Sequence, residues 1–156
     1  MLSESLARYR AFSIQQLERV SFLAPLLGRL AVGLLFLSTG WGKVHSLDKV
    51  TAFFVKLQIP APALNAVVVG YSELICGALL VIGLCTRLAT LPLIVSMIVA
   101  IGTAKLSDIH GLFDLVAADE FTYLCVLVML LIIGPGRLSL DAILVRRLLA
   151  SSRNET

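Results

Sequence analysis

Long apolar stretches separated by short polar segments set the pattern of this chain. A helix rising 1.5 Å per residue needs about 20 largely apolar residues to cross a bilayer. The pattern predicts spans over 22–42, 62–84, 88–104 and 115–134, within a membrane domain of residues 22–134. The third, at 17 residues, is at the short limit. The fourth is uninterrupted only from Phe121 to Gly134; starting at Leu115 gives it full length but draws Asp119 and Glu120 inside. We adopt the longer version because four spans leave the flanking basic residues consistently placed.

Weaker amphipathic patterns flank the spans. In the segment 1–21, a helix over 3–20 would dip Leu6, Tyr9, Ile14 and Leu17 into the interface, with Arg8, Arg10 and Arg19 at headgroups. Between the first two spans, Ser46 can cap a short helix carrying Val50, Phe53, Phe54 and Leu57, with Lys49 and Lys56 on its other side and Pro60 and Pro62 ending it. After Gly134-Pro135-Gly136, Ser139 can cap a last helix in the tail 135–156, with Asp141 in its first turn. The expected fold is all-α: a four-transmembrane-helix bundle with amphipathic interfacial helices at the N-terminus, in the first outer loop and at the C-terminus.

Composition agrees. Hydrophobic residues make up 58% and charged residues 15%, against about 25% charged in soluble domains. No water-soluble catalytic domain fits in what remains. The net charge of +3 does not imply nucleic acid, because the cations lie beside the apolar stretches. Arg8, Arg10, Arg19, Arg87, Arg137, Arg146, Arg147 and Arg153 fall on one side, and Lys43, Lys49, Lys56 and Lys105 on the other. The excess predicts both termini in the cytoplasm of a multi-pass membrane protein. The polar first 21 residues lack the apolar core and cleavage site of a signal peptide. Cys76, Cys85 and Cys125 have no CxxC spacing and read as small hydrophobes, Cys85 being the most reactive candidate because it lies near a helix end.

The chemistry rests on ionisable residues within apolar runs. Glu73 lies near the centre of the second span, where a carboxylate costs roughly 2.5–3.5 kcal/mol on insertion scales. In the first span Arg29, Gly33, Phe36, Gly40 and Lys43 share one helix face; in the second, Gly70, Glu73, Gly77, Leu80, Leu84 and Arg87 do. Glycines on both stripes allow close approach of the two backbones. Helical rise puts Arg29 about 10 Å and Glu73 about 16 Å from the inner boundary, so a direct Arg29–Glu73 pair is expected. That pair is either a structural ion pair fixing register or a site where Glu73 binds a proton, a cation or a quinone head group and Arg29 tunes it. An uncharged, unpaired Glu73 is the third alternative.

Toward the outer side Trp41, Lys43, Lys105, Glu120 and Tyr123 form a second candidate group, read first as a Lys–Glu clasp and otherwise as the mouth of a cavity. Glu120 would lie about 7 Å below the outer surface. Ser96, Ala100 and Thr103 give the third span a small, polar face. His45 and His110, with Asp108 and Asp114, are weak metal candidates without HxxH spacing. There is no haem or iron–sulfur motif, no phosphate loop and no nucleophile–base motif.

GWGKVHSL after the first span, IPAPALNAVVVGYSELICGALLVIGLCTRLA through the second, and GPGRLSLD after the fourth together resemble the DoxX family over about residues 22–145. The resemblance implies a small four-helix bacterial membrane protein. The family takes its name from the small membrane subunit of an archaeal thiosulfate:quinone oxidoreductase. Other members are proposed to join oxidative-stress complexes, and some lie in operons linked to metal-responsive modified peptides. Lys43, Glu73, Arg87, Glu120 and Asp141 match its recurrent polar positions, and the resemblance assigns them no role.

Two functions follow as expectations. One is a non-catalytic subunit or anchor of a membrane complex, redox or stress related, with membrane or soluble protein partners or further copies of itself. The other is a quinone- or small-molecule-binding oxidoreductase or carrier acting at Arg29 and Glu73. The sequence does not decide whether the chain is an enzyme.

Overall fold

The computed structural model describes residues 21–106 and 109–153, and all the regular elements among them are helical. They are α1 (Leu23–Val44), α2 (Leu47–Lys56), α3 (Pro62–Ile82), α4 (Thr86–Ala100), α5 (Leu112–Ala117), α6 (Asp119–Ile133) and α7 (Leu140–Arg153). A π-helical turn, Ile101–Lys105, prolongs α4. The helix expected over 3–20 lies outside the described residues.

Among the described residues three helices are long and apolar enough to cross a membrane: α1 with 22 residues, α3 with 21, and α4 with its π turn, 20 residues from Thr86 to Lys105. The third span is thus longer than the 17 residues expected. The fourth stretch departs further from expectation. A single helix over 115–134 does not form, because Ala118 is extended (ψ 130°) and splits it into α5 and α6. The break has a local cause. Restarting the helix at Asp119 puts Asp119 and Glu120 in its first turn, where the helix dipole favours carboxylates. The 15 residues of α6 rise only about 22 Å, short of a bilayer core of about 30 Å.

Glycine sets the tightest contact, between antiparallel α1 and α3. A Cβ at Gly40 would fall on the backbone of Leu74 and Glu73, and one at Gly77 would lie 2.5 Å from the Leu37 nitrogen. Gly33 faces Val81 and Gly70 faces Val44, so one antiparallel register runs the length of both helices. Then α4 packs on α3 and α6, and α6 returns to α1, closing a ring. Val32, Phe36, Cys76, Leu80, Ala89, Leu93, Met97, Leu127 and Leu130 fill its middle.

At one end α3 and α4 are joined by a tight turn, with Gly83 (φ 71°) and Cys85 (φ 49°) both left-handed. At the other end α2 packs against α3. Val50, Phe54 and Leu57 are half-buried, while Lys49 and Lys56 are exposed. Ser46 occupies the cap position of α2, but its hydroxyl makes no capping bond; its carbonyl accepts the Lys49 and Val50 N–H groups instead. The α2–α3 connection holds two non-glycine residues in the left-handed region, Gln58 (φ 55°) and Ala61 (φ 46°). Each costs of order 1 kcal/mol unless its surroundings hold it. Asn65, donating to the Pro60 carbonyl at 2.6 Å, helps hold this connection.

Candidate functional site

The α1–α3 register separates the two residues expected to pair. It brings Arg29 level with Gly83, whose Cα is packed against the guanidinium. Glu73 lies ten residues earlier on α3, about 15 Å away along the axis. The direct Arg29–Glu73 pair is therefore not formed. Counting rise from the ends of the apolar runs treated Phe22 and Leu84 as level, whereas α1 extends further beyond the α3–α4 turn.

Glu73 is answered by Lys43 and Thr39, one turn apart on α1. Lys43 Nζ lies 2.5 Å from Oε1, and the Thr39 hydroxyl donates to Oε2 at 2.9 Å. Two glycines make the reach short. Gly40 lets α1 press onto the backbone at Glu73 and Leu74, and Gly70 leaves room for the Lys43 side chain. The pair is asymmetric: the Glu73 side chain is 2% exposed and that of Lys43 is 31% exposed. The carboxylate is sealed in the protein and the ammonium reaches outward.

It reaches toward a cavity of about 800 Å³ walled by α2, α3 and α4. Joined closely at the α3–α4 turn, α3 and α4 leave this space further along, and α2 covers it. Most of the lining is apolar: Phe53 and Phe54 from α2 with Leu57 just past its end, Val68 and Val69 from α3, and Val95 and Val99 from α4. Val68, Val95 and Val99 are also exposed, so the cavity opens between apolar side chains. Polar groups are few: Lys43 and Glu73 at one wall, Lys49 and Gln58 from α2 and its exit, and Asn65, Ser72, Ser96 and Thr103. The α4 wall contains Pro92, which lacks a backbone donor, and part of the π turn.

The outer group does not form one cavity. Lys43 lines the space just described; Trp41, Lys105, Glu120 and Tyr123 do not. Trp41 is exposed and stacks on His45 with ring centroids 4.2 Å apart. Tyr123 meets Phe36 edge-on at 6.4 Å, beside the core. Lys105 and Glu120 approach to 4.0 Å, and Lys105 lines a smaller hollow of about 230 Å³ with Asp114 and Ala118. Glu120 Oε2 is buried with no hydrogen-bond partner among the described residues. The break at Ala118 gives these residues a separate position. No cluster of three potential metal-ligating side chains occurs among the described residues. The His45 ring nitrogen meets the Trp41 carbonyl at 2.9 Å, and the His110 backbone N–H donates to Asp114 at 2.9 Å. Asp108 lies outside the described residues.

At the opposite end Arg29 has a structural task. Buried to 2% exposure, it donates to the carbonyls of Pro135 at 2.6 Å and Leu138 at 3.0 Å. Arg87 donates to Ile132 at 3.2 Å. Asp141 accepts from the backbone N–H groups of Cys85 at 2.9 Å and Thr86 at 3.3 Å, capping α4 from another helix, while its own N–H donates to Gly83. The Ser139 hydroxyl accepts from Ala142 N–H at 3.1 Å, the cap expected for the last helix. The segments LCTR and GPGRLSLD thus close into one clasp around Arg29.

Sequence reasoning missed Thr39, Lys49 and the cross-helix work of Asp141. Thr39 lies one turn before Lys43 on the same face, which is a usable signal. Ser96, Ala100 and Thr103, read from the sequence only as sharing a face, all line the cavity. Nothing local in the tail shows which helix Asp141 caps.

Comparison with known proteins adds a family. A DoxX family model matches residues 24–106. The chain is 37% identical over 130 residues to the uncharacterized membrane protein Rv3486 of Mycobacterium tuberculosis, covering 76% of this chain and 80% of that protein. No solved structure matches.

Proposed function

The chain belongs to the DoxX family of membrane proteins, and from that premise we propose that it binds a lipophilic small molecule in the cavity between α2, α3 and α4. The observation that carries this reading is an ion pair placed on the wall of an apolar space. Ligand sites of about 300–1,000 Å³ with apolar walls and a few convergent polar groups are the usual form of a small-molecule pocket. Here the polar group is Lys43, held in place by Glu73, and the apolar lip provides a route from lipid. Neutral quinones and charged amphiphiles both have the required apolar body and polar head.

The accompanying topology is four spans in a bacterial inner membrane, α6 being the fourth, with α2 and α7 at opposite interfaces and both termini cytoplasmic. The distribution of Arg and Lys supports it, and so does the closed packing of α6 with α1 and α4. The decisive experiment is native mass spectrometry of the protein released from membranes, alongside Ala100→Phe, which fills the cavity from the α4 wall. A retained adduct lost in the variant is the expected result. Equal adducts in both folded proteins would overturn the reading.

A second reading, a subunit or anchor of a larger membrane complex, draws on α5. Leu112 and Phe113 are 72% and 90% exposed there. Copurification after mild solubilisation tests it: a partner released by Phe113→Ser supports it, and migration as the lone chain under all mild conditions refutes it.

A further inference from the structure

We infer that the ligand of this cavity is an anionic amphiphile, a single acyl chain lying along α3 and α4 with its oxyanion on Lys43 and Lys49. The inference rests on the binding reading above and goes further by fixing the charge of the head group.

The accounting of donors and acceptors carries it. Glu73 already accepts from Lys43 on Oε1 and from Thr39 on Oε2, and with its side chain 2% exposed it presents little to the cavity. A ligand therefore does not meet a free carboxylate. It meets donors. An ammonium carries three N–H groups, and Lys43 commits one of them to Glu73 while remaining 31% exposed. Lys49 lines the same space from α2 and forms no ion pair among the described residues. Two ammonium groups against one carboxylate leave a net positive charge at the polar wall. That charge favours an oxyanion over a neutral head group, because Coulomb attraction is added to the hydrogen bonds the two ammonium groups donate.

Shape points the same way. Away from the two lysines the lining is mostly valine and phenylalanine, with uncharged hydroxyls and amides as its other polar groups, so the charged end of the ligand sits at the lysines and its hydrocarbon along the apolar walls. A long-chain carboxylate and a monoacyl phosphatidylglycerol share this chemistry, an oxyanion on a single chain, and the experiment distinguishes them.

The full chain in nanodiscs of phosphatidylcholine is titrated with the fluorescent polyene cis-parinaric acid. Bound probe is then displaced with palmitate, hexadecanol, monoacyl phosphatidylglycerol or a short-chain quinone. Displacement by palmitate at a concentration about tenfold or more below that of hexadecanol and the quinone is the expected result. A lower midpoint for the monoacyl phosphatidylglycerol assigns the oxyanion subsite to a phosphate head; a lower midpoint for palmitate assigns it to a carboxylate. Lys49→Gln, on the exposed face of α2, should weaken palmitate several-fold and leave hexadecanol unchanged. The triple variant Lys43→Met/Lys49→Gln/Glu73→Gln, which leaves the wall without charge, should abolish the preference for the anion. Equal displacement by acid, alcohol and quinone would overturn the inference while leaving the cavity reading intact. Probe binding that is absent, or unchanged in folded Ala100→Phe, would overturn both.

Discussion

Lys43→Met and Glu73→Gln remove opposite halves of one ion pair, and the structure predicts that their costs differ. Lys43→Met leaves the carboxylate, 1% exposed, with Thr39 as its remaining donor. Stranding a buried charge in this way typically costs 3–5 kcal/mol, in contrast to replacing both partners, which is often nearly neutral. Glu73→Gln leaves an amide that can still bond Thr39, and an ammonium already 31% exposed that can turn toward the cavity mouth. Its cost should be about 1–2 kcal/mol, that of a lost charged hydrogen bond partly replaced. The double variant should fall below the sum of the singles by at least about 2 kcal/mol, a coupling of the size seen between contacting residues. Arg29 serves as the control. It lies about 15 Å from Glu73 along the helix axis, so Arg29→Gln and Glu73→Gln should add within about 0.5 kcal/mol. The assay is reversible unfolding in mixed micelles, followed by helical circular dichroism at several denaturant fractions. A Lys43→Met variant as stable as wild type, additive Lys43 and Glu73 costs, or coupling between Arg29 and Glu73 would refute the reasoning.

Further predictions follow from the packing. Gly40→Ala should cost about 1–3 kcal/mol by overpacking onto Leu74, whereas Gly42→Ala, with nothing within 4 Å of its new methyl, should be neutral or slightly stabilising; the same unfolding assay compares them. Asp141→Ala should lose the cap on α4, costing about 0.5–2 kcal/mol, and should raise the rate of proteolysis between Pro135 and Leu140. Under the proposed topology, an impermeant maleimide should label exposed Cys85 in inside-out vesicles and leave it unlabelled in intact cells; labelling from outside would reverse the orientation.

The sequence showed the helical class and three of its long helices because a carboxylate or guanidinium is conspicuous inside an apolar run and because turns collect Gly and Pro. The glycine stripes were legible for the same reason: Gly33, Gly40, Gly70 and Gly77 recur on one face of each helix, and the structure packs them together. What stayed hidden was axial register. A shift of about two turns between α1 and α3 exchanges the partner of Glu73 from Arg29 to Lys43, and apolar run lengths do not fix such a shift. The break at Ala118 was hidden because alanine has no breaking tendency; the signal was the acidic pair after it, which suits a helix start better than a helix interior. The cavity arises from the divergence of two helices and from the placement of α2, both tertiary, so only polar residues of its lining, Lys43, Glu73, Ser96 and Thr103, had a trace in the sequence.

The central claim is that the space beside Lys43 and Glu73 holds a lipophilic ligand. Photo-crosslinking of the folded protein in nanodiscs with a diazirine-bearing palmitate, followed by peptide mapping, tests it most directly. Adducts should concentrate at 68–72 on α3 and 95–104 on α4 and disappear in Ala100→Phe. Adducts spread over the lipid-facing sides of α1 and α6, and unchanged by Ala100→Phe, would contradict it.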